Sequence, residues 1–150
     1  MTPEEITSIG KIGSAAALGL SAIGSALGAG VAGMAAIGSW KKCYAQNKLA
    51  PFMLISFVGA PLTQTLYGFI MMNSIRDAAV AGSPWQGLVG AGILGGLAVG
   101  LSAFMQGKAA AAASDALGET GQGTANYLIA LGIIETVAIF TLVFINNAIK

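Results

Sequence analysis

Four long stretches without a formal charge constrain this chain more than any other feature. Residues 12–40, 49–75 and 78–107 carry no Asp, Glu, Lys or Arg, and residues 120–149 are interrupted only by Glu135. A helix needs ~20 apolar residues to cross the hydrocarbon of a bilayer, so each run can span and has residues to spare for tilt or for projection into the headgroups. With 55% hydrophobic and 9% charged residues in 150, there is too little polar surface to coat a water-soluble globule. The expectation is an all-α membrane protein of four transmembrane helices.

Glu4 and Glu5 precede the first run and no short basic region does, so the first helix is expected to stay rather than to be cleaved as a secretory signal. The single cysteine, Cys43, has no internal disulfide partner and is expected to lie reduced and chemically idle in a loop. A net charge of +1, with no basic cluster beyond Lys41 and Lys42, offers no footprint for nucleic acid.

Charge asymmetry orients the spans. The segment from Trp40 to Lys48 holds three of the seven basic residues, whereas the central loop, Arg76 to Pro84, holds one, balanced by Asp77. The positive-inside bias then puts the first loop and the loop Ser114 to Thr124 in the cytoplasm, with both termini outside a cell membrane. Trp40 and Trp85 fall near opposite interfaces, as belt aromatics do.

Eight glycines lie in residues 10–38 and seven in 87–107, while the second and fourth helices hold only Gly59, Gly68 and Gly132. Small residues recur at every fourth position, as in Gly24 and Gly28 or Gly92, Gly96 and Gly100, a spacing that lets backbones approach closely. The bulkier second and fourth helices each carry a polar interruption, Thr63-Gln64 and Glu135-Thr136. The chain therefore reads as a duplicated helical hairpin, residues 1–76 and 77–150, in which Gln64 is the counterpart of Glu135. Alternation of small and bulky helices suits a tight inner and a bulkier outer layer, which many copies would close into a ring.

A carboxylate near the bilayer centre costs at least ~2.5 to 3.5 kcal/mol, so Glu135 calls for a reason. It either hydrogen-bonds its neighbours as a neutral acid or serves as a reversible ion site, neutral in lipid and charged when a positive group approaches. Thr63, Gln64 and Gln106 also lie far from the predicted membrane edges. Their neutral oxygens exceed what a proton needs and suit a hard alkali cation. Pro61 has no amide hydrogen and frees carbonyls in Phe57 to Ala60, and Tyr67 follows Gln64 by three residues, within reach of Glu135 with its hydroxyl.

Pro61-Leu62-Thr63-Gln64-Thr65-Leu66-Tyr67-Gly68, then Gln106-Gly107-Lys108 with its alanine run, then Glu135-Thr136, resemble the sixteen-kilodalton-type proteolipids of V-type ATPases, most closely the sodium-translocating bacterial subunit. The resemblance covers the whole chain, and departs from it at Leu62 and Thr65, where related sequences often carry glycine. It implies Na+ ligands at the carbonyl of Ala60, the hydroxyl of Thr63, the amide oxygens of Gln64 and Gln106 and the carboxylate of Glu135, with Tyr67 steadying that carboxylate. A proton-coupled rotor is the alternative cargo. The resemblance further implies a homo-oligomeric rotor ring in lipid, a stator subunit supplying an arginine, a central-stalk subunit at the cytoplasmic loops, and one ion per four-helix subunit. The subunit would carry no nucleotide site, since Gly107-Lys108 runs on into alanines rather than into a phosphate loop.

Lys41, Lys42, Asp115 and Glu119 are expected as loop charges, and Lys108 is expected to reach along the third helix to the cytoplasmic headgroups. A four-helix multidrug exporter also relies on a membrane glutamate, but there the acid lies in the first helix beside aromatics. Here that helix is aromatic-free from Ile6 to Ser39. A purely structural four-helix channel leaves Glu135 and both glutamines without a role.

Overall fold

A computed structural model describes residues 2–149. The described chain is helical throughout: α1 (Pro3–Ala45), α2 (Leu54–Gly59), a 3-10 turn (Ala60–Leu62), α3 (Thr63–Val80), α4 (Trp85–Thr120) and α5 (Thr124–Ala148). α2, the turn and α3 form a single span, so four helical segments are long and apolar enough to cross a membrane. Large apolar side chains such as Leu94, Ile133 and Phe144 are about two-thirds exposed, an outer surface that only lipid or other apolar chains can solvate. The protein is an integral membrane protein.

At ~1.5 Å per residue, the 43 residues of α1 and the 36 of α4 far exceed a ~30 Å hydrocarbon layer. These helices continue into what sequence alone marked as loops. Trp40 to Ala45 and Ser114 to Thr120 are helical, because nothing there interrupts the backbone ladder until Asn47, at φ 53°, and Gly121, at φ 67°, take the left-handed conformation. Cys43 accordingly lies not in a loop but on α1, buried, with its Sγ 3.5 Å from the carbonyl of Gly118. Lys42 pairs with Asp115 at 2.7 Å and Glu119 at 3.4 Å across the extended ends of α1 and α4. All three side chains are more than half exposed, so solvent screens the pairs and they add little to stability. At the same end the indole of Trp40 donates to the carbonyl of Pro51 at 2.8 Å. At the opposite end Thr2 and Glu5 close a capping box over the first turn of α1.

The glycine stripes do what their spacing predicts. A Cβ at Gly24 would run into the backbone of Gly100, one at Gly92 into that of Gly13, and one at Gly107 into that of Gly28. α1 and α4 therefore lie in backbone contact, and the bulkier α3 and α5 pack outside them.

Burial divides the interior into three layers. Toward the loop end, Ala32, Ala36, Leu54, Phe57, Ala110 and Leu131 form one apolar cluster. Toward the terminal end, Ala17, Met71, Ile75, Leu88, Val99 and Ala138 form another. Between them each of the four spans contributes polar residues, namely Ser21 and Ser25, Gln64, Ser102 and Gln106, and Glu135.

Candidate ion-binding site

The polar layer begins at Pro61. A proline ring cannot donate to the helix ladder and crowds the preceding turn, and here the chain tightens into the 3-10 turn Ala60–Leu62 before resuming as α3. Thr63 Oγ lies 3.1 Å from the carbonyl oxygen of Ala60 and 3.1 Å from Gln64 Oε1. Its single proton serves one of them at a time, so three oxygens converge. Two ligands on one hard cation stand about 3 to 3.7 Å apart when each bond is ~2.3 to 2.6 Å, and these separations fall in that range.

Gln64, fully buried, donates from Nε2 to Gln106 Oε1 at 2.8 Å. Gln106, 1% exposed, donates from its own Nε2 to the carbonyl of Leu131 at 3.0 Å and to Glu135 Oε2 at 3.3 Å. The Tyr67 hydroxyl donates to Glu135 Oε1 at 2.7 Å. Both carboxylate oxygens are thus engaged in hydrogen bonds. All six residues singled out in the sequence, Ala60, Thr63, Gln64, Tyr67, Gln106 and Glu135, join one connected network drawn from α3, α4, α5 and the 3-10 turn.

The layer is closed on the inner side by the buried glutamines, whereas Glu135, Thr63 and Tyr67 are only half-buried. The carboxylate is therefore the member within reach of a group on the outer face of α3 and α5. Among the described residues no three His, Cys, Asp or Glu side chains gather, so the donor set is one carboxylate with neutral oxygens, the chemistry of a hard cation rather than a transition metal.

Two contributions went unread in the sequence. Ser102 Oγ donates to the carbonyl of Ile134 at 3.0 Å, bracing α5 one residue before Glu135, and the Leu131 carbonyl holds the Gln106 amide. Ser102 sits in the tetrapeptide Gly100-Leu101-Ser102-Ala103, which repeats Gly19-Leu20-Ser21-Ala22. That repetition was the signal available. Lys108 departs from expectation. Its ammonium sits 5.8 Å from the centroid of the Phe104 ring, one turn toward the terminal end instead of extending toward the loop-end headgroups. Side chains on a helix lean toward its N-terminus, and the ring face offers the ammonium an electrostatic partner that lipid tails do not.

Comparison with known proteins agrees with this architecture. A profile of the ATP synthase C-subunit family matches residues 89–145, most of α4 and α5. The A-type ATP synthase subunit K of Methanocaldococcus jannaschii is 36% identical over 134 residues, 89% of this chain, and the chain spans 58% of that relative's length. The profile falls on the pair of spans that carries Gln106 and Glu135, and the alignment to the relative takes in most of the chain. Over most of α4 and α5 the chain matches the ATP synthase C-subunit family, and over most of its length it is similar to an A-type ATP synthase subunit K.

Proposed function

We propose that the chain is an ion-carrying subunit of the rotor ring of a rotary V-type ATPase and that its cargo is Na+. The observation that carries the reading is the connected polar layer that ends on Glu135, in which Ala60 O, Thr63 Oγ, Gln64 Oε1 and Gln106 Oε1 are available to supplement the carboxylate. A proton needs the carboxylate and one acceptor; four further oxygens suit a cation that must lose its water before entering lipid.

On this reading the mechanism follows from cost. A bare carboxylate facing hydrocarbon is expensive, so only a loaded site passes from the stator into lipid. An arginine of the stator, approaching the half-buried Glu135, competes for its charge and releases the ion to one half-channel; a new ion enters from the other. Copies of the chain form the closed ring, a central-stalk subunit docks on the cytoplasmic loops, and ATP is hydrolysed in a separate head. The two hairpins, residues 1–76 and 77–150, then share one ion, because Gln64 occupies the place of a second carboxylate. Fewer ions per ATP allow work against a steeper gradient, which favours a pump over a synthase.

Carbodiimide attacks the protonated acid, so labelling of Glu135 in the assembled membrane complex at mildly acidic pH tests the reading. Sodium, but not potassium, should suppress the label. Labelling indifferent to sodium moves the cargo to protons, and activity that survives Glu135→Gln overturns the rotor assignment.

A further inference from the structure

Among the described residues, the buried polar side chains of the interior are Ser14, Ser21, Ser25, Ser39, Gln64, Ser102, Gln106 and Ser114. All but one of them have a side-chain hydrogen bond; Ser25 Oγ, on a residue only 2% exposed, has none. A buried hydroxyl without a partner carries a desolvation cost that alanine at the same place would avoid.

Helix register places this hydroxyl at the level of Gln64. A Cβ at Gly68 would stand 2.5 Å from the Ser21 Cβ, and one at Gly28 would stand 3.0 Å from the Pro61 Cβ. Ser25 lies four residues after Ser21 and three before Gly28, while Gln64 lies four before Gly68 and three after Pro61. Antiparallel helices joined at those two contacts bring Ser25 and Gln64 together one turn inside each of them.

The internal repeat gives the same pairing independently. Counted from Gly19-Leu20-Ser21-Ala22 and from Gly100-Leu101-Ser102-Ala103, Ser25 holds in the first hairpin the place of Gln106 in the second. Gln64 holds the place of Glu135. Ser25 thus stands to Gln64 as Gln106 stands to Glu135, and Gln106 donates to that carboxylate.

The hydrogen-bond inventory of Gln64 completes the match. Its amide nitrogen has two hydrogens, and among the described residues one bond leaves it, to Gln106 Oε1. A spare donor and a spare acceptor, both on buried side chains, therefore lie at one level of the polar layer. Resting on the sodium reading of the site, we propose that Ser25 is a positioning residue for Na+: in the loaded site its oxygen accepts the second amide hydrogen of Gln64, a bond this structure does not make, and turns Oε1 toward the ion. The hydroxyl proton of Ser25 then passes to a carbonyl one turn back, as that of Ser21 does to Ala17 at 2.7 Å.

The test is sodium protection of Glu135 against carbodiimide in the assembled membrane complex, titrated with sodium chloride against a potassium chloride background. Ser25→Ala should raise the half-protecting sodium concentration about tenfold, the loss of one buried hydrogen bond, and leave the sodium-free labelling rate unchanged. Ser114→Ala, which removes a hydroxyl bonded within its own helix to Ala110, should leave both unchanged. Ser25→Gly removes the same hydroxyl without adding an atom and substitutes if the alanine variant does not assemble. Wild-type protection at Ser25→Ala overturns the proposal while the sodium reading stands. So does a sodium-free labelling rate that changes as much as the protection, which makes Ser25 structural. A wild-type complex that sodium does not protect overturns the sodium reading and this proposal with it.

Discussion

At the scale of single residues the site is a chain of donors ending on one carboxylate, and Tyr67 is its outermost link. The Tyr67 hydroxyl reaches Glu135 Oε1 at 2.7 Å, a charge-assisted bond of the kind that contributes about 1.5 to 3 kcal/mol. Tyr67→Phe keeps the ring that packs against the terminal-end cluster and removes that bond alone. The half-protecting sodium concentration in carbodiimide labelling should rise between about ten- and a hundredfold, with the complex still assembled; an unchanged value would reduce Tyr67 to packing. The members of this chain were legible in the sequence because a lone acid and two glutamines in uncharged runs conflict with their solvent. Ser25 and Ser102 were not, since serine is equally at home as a small residue in a packing stripe, and only their partners distinguish the two uses. Nor could residue types foretell that the Gln64 and Gln106 amides bond to each other.

At the scale of elements, the contact between α1 and α4 is limited by backbone rather than by side chains. A methyl at Gly24 would meet the Gly100 backbone, which cannot move aside without parting the helices, whereas nothing lies within 4 Å of one at Gly19. Gly24→Ala should lower the thermal midpoint of the detergent-purified protein, by an overpacking cost of about 1 to 3 kcal/mol or more. Gly19→Ala should be neutral, or stabilising by up to ~1 kcal/mol through helix propensity. Equal destabilisation by both would place another chain against that face of α1. The glycine pattern revealed which helices are close-packed because one residue in four on a helix faces the same neighbour. It did not reveal where the helices stop. Charged residues such as Lys42 and Asp115 mark a membrane edge but are good or tolerable helix formers, so α1 and α4 continue past it until a left-handed residue ends them. Pro61 was legible as a disturbance; that it resolves into a single 3-10 turn, carrying the Ala60 carbonyl to Thr63, depended on the packing of that span against α1 and α4.

At the scale of the molecule, four spans place both chain termini at one end and the connections after α1 and α4 at the other, a consequence of helix count alone. Which end faces the cytoplasm is a separate matter of charge. Lys41, Lys42 and Lys48 gather at the loop end, while Arg76, at the terminal end, is held by Asp77 at 3.0 Å, so the positive-inside bias acts on the loop end. Cys43 is the sole native cysteine and is buried, which leaves the background nearly silent to a membrane-impermeant maleimide. Ser83→Cys, in the turn between α3 and α4, should be labelled on intact cells, and Gln122→Cys, in the turn between α4 and α5, only after the membrane is opened. The reverse pattern would invert the orientation and put the loops of the proposed rotor on the side away from a cytoplasmic head, where ATP hydrolysis could not drive them. Labelling of both positions from one side would be incompatible with an odd number of crossings between them, and α4 is the single helix that separates Ser83 from Gln122.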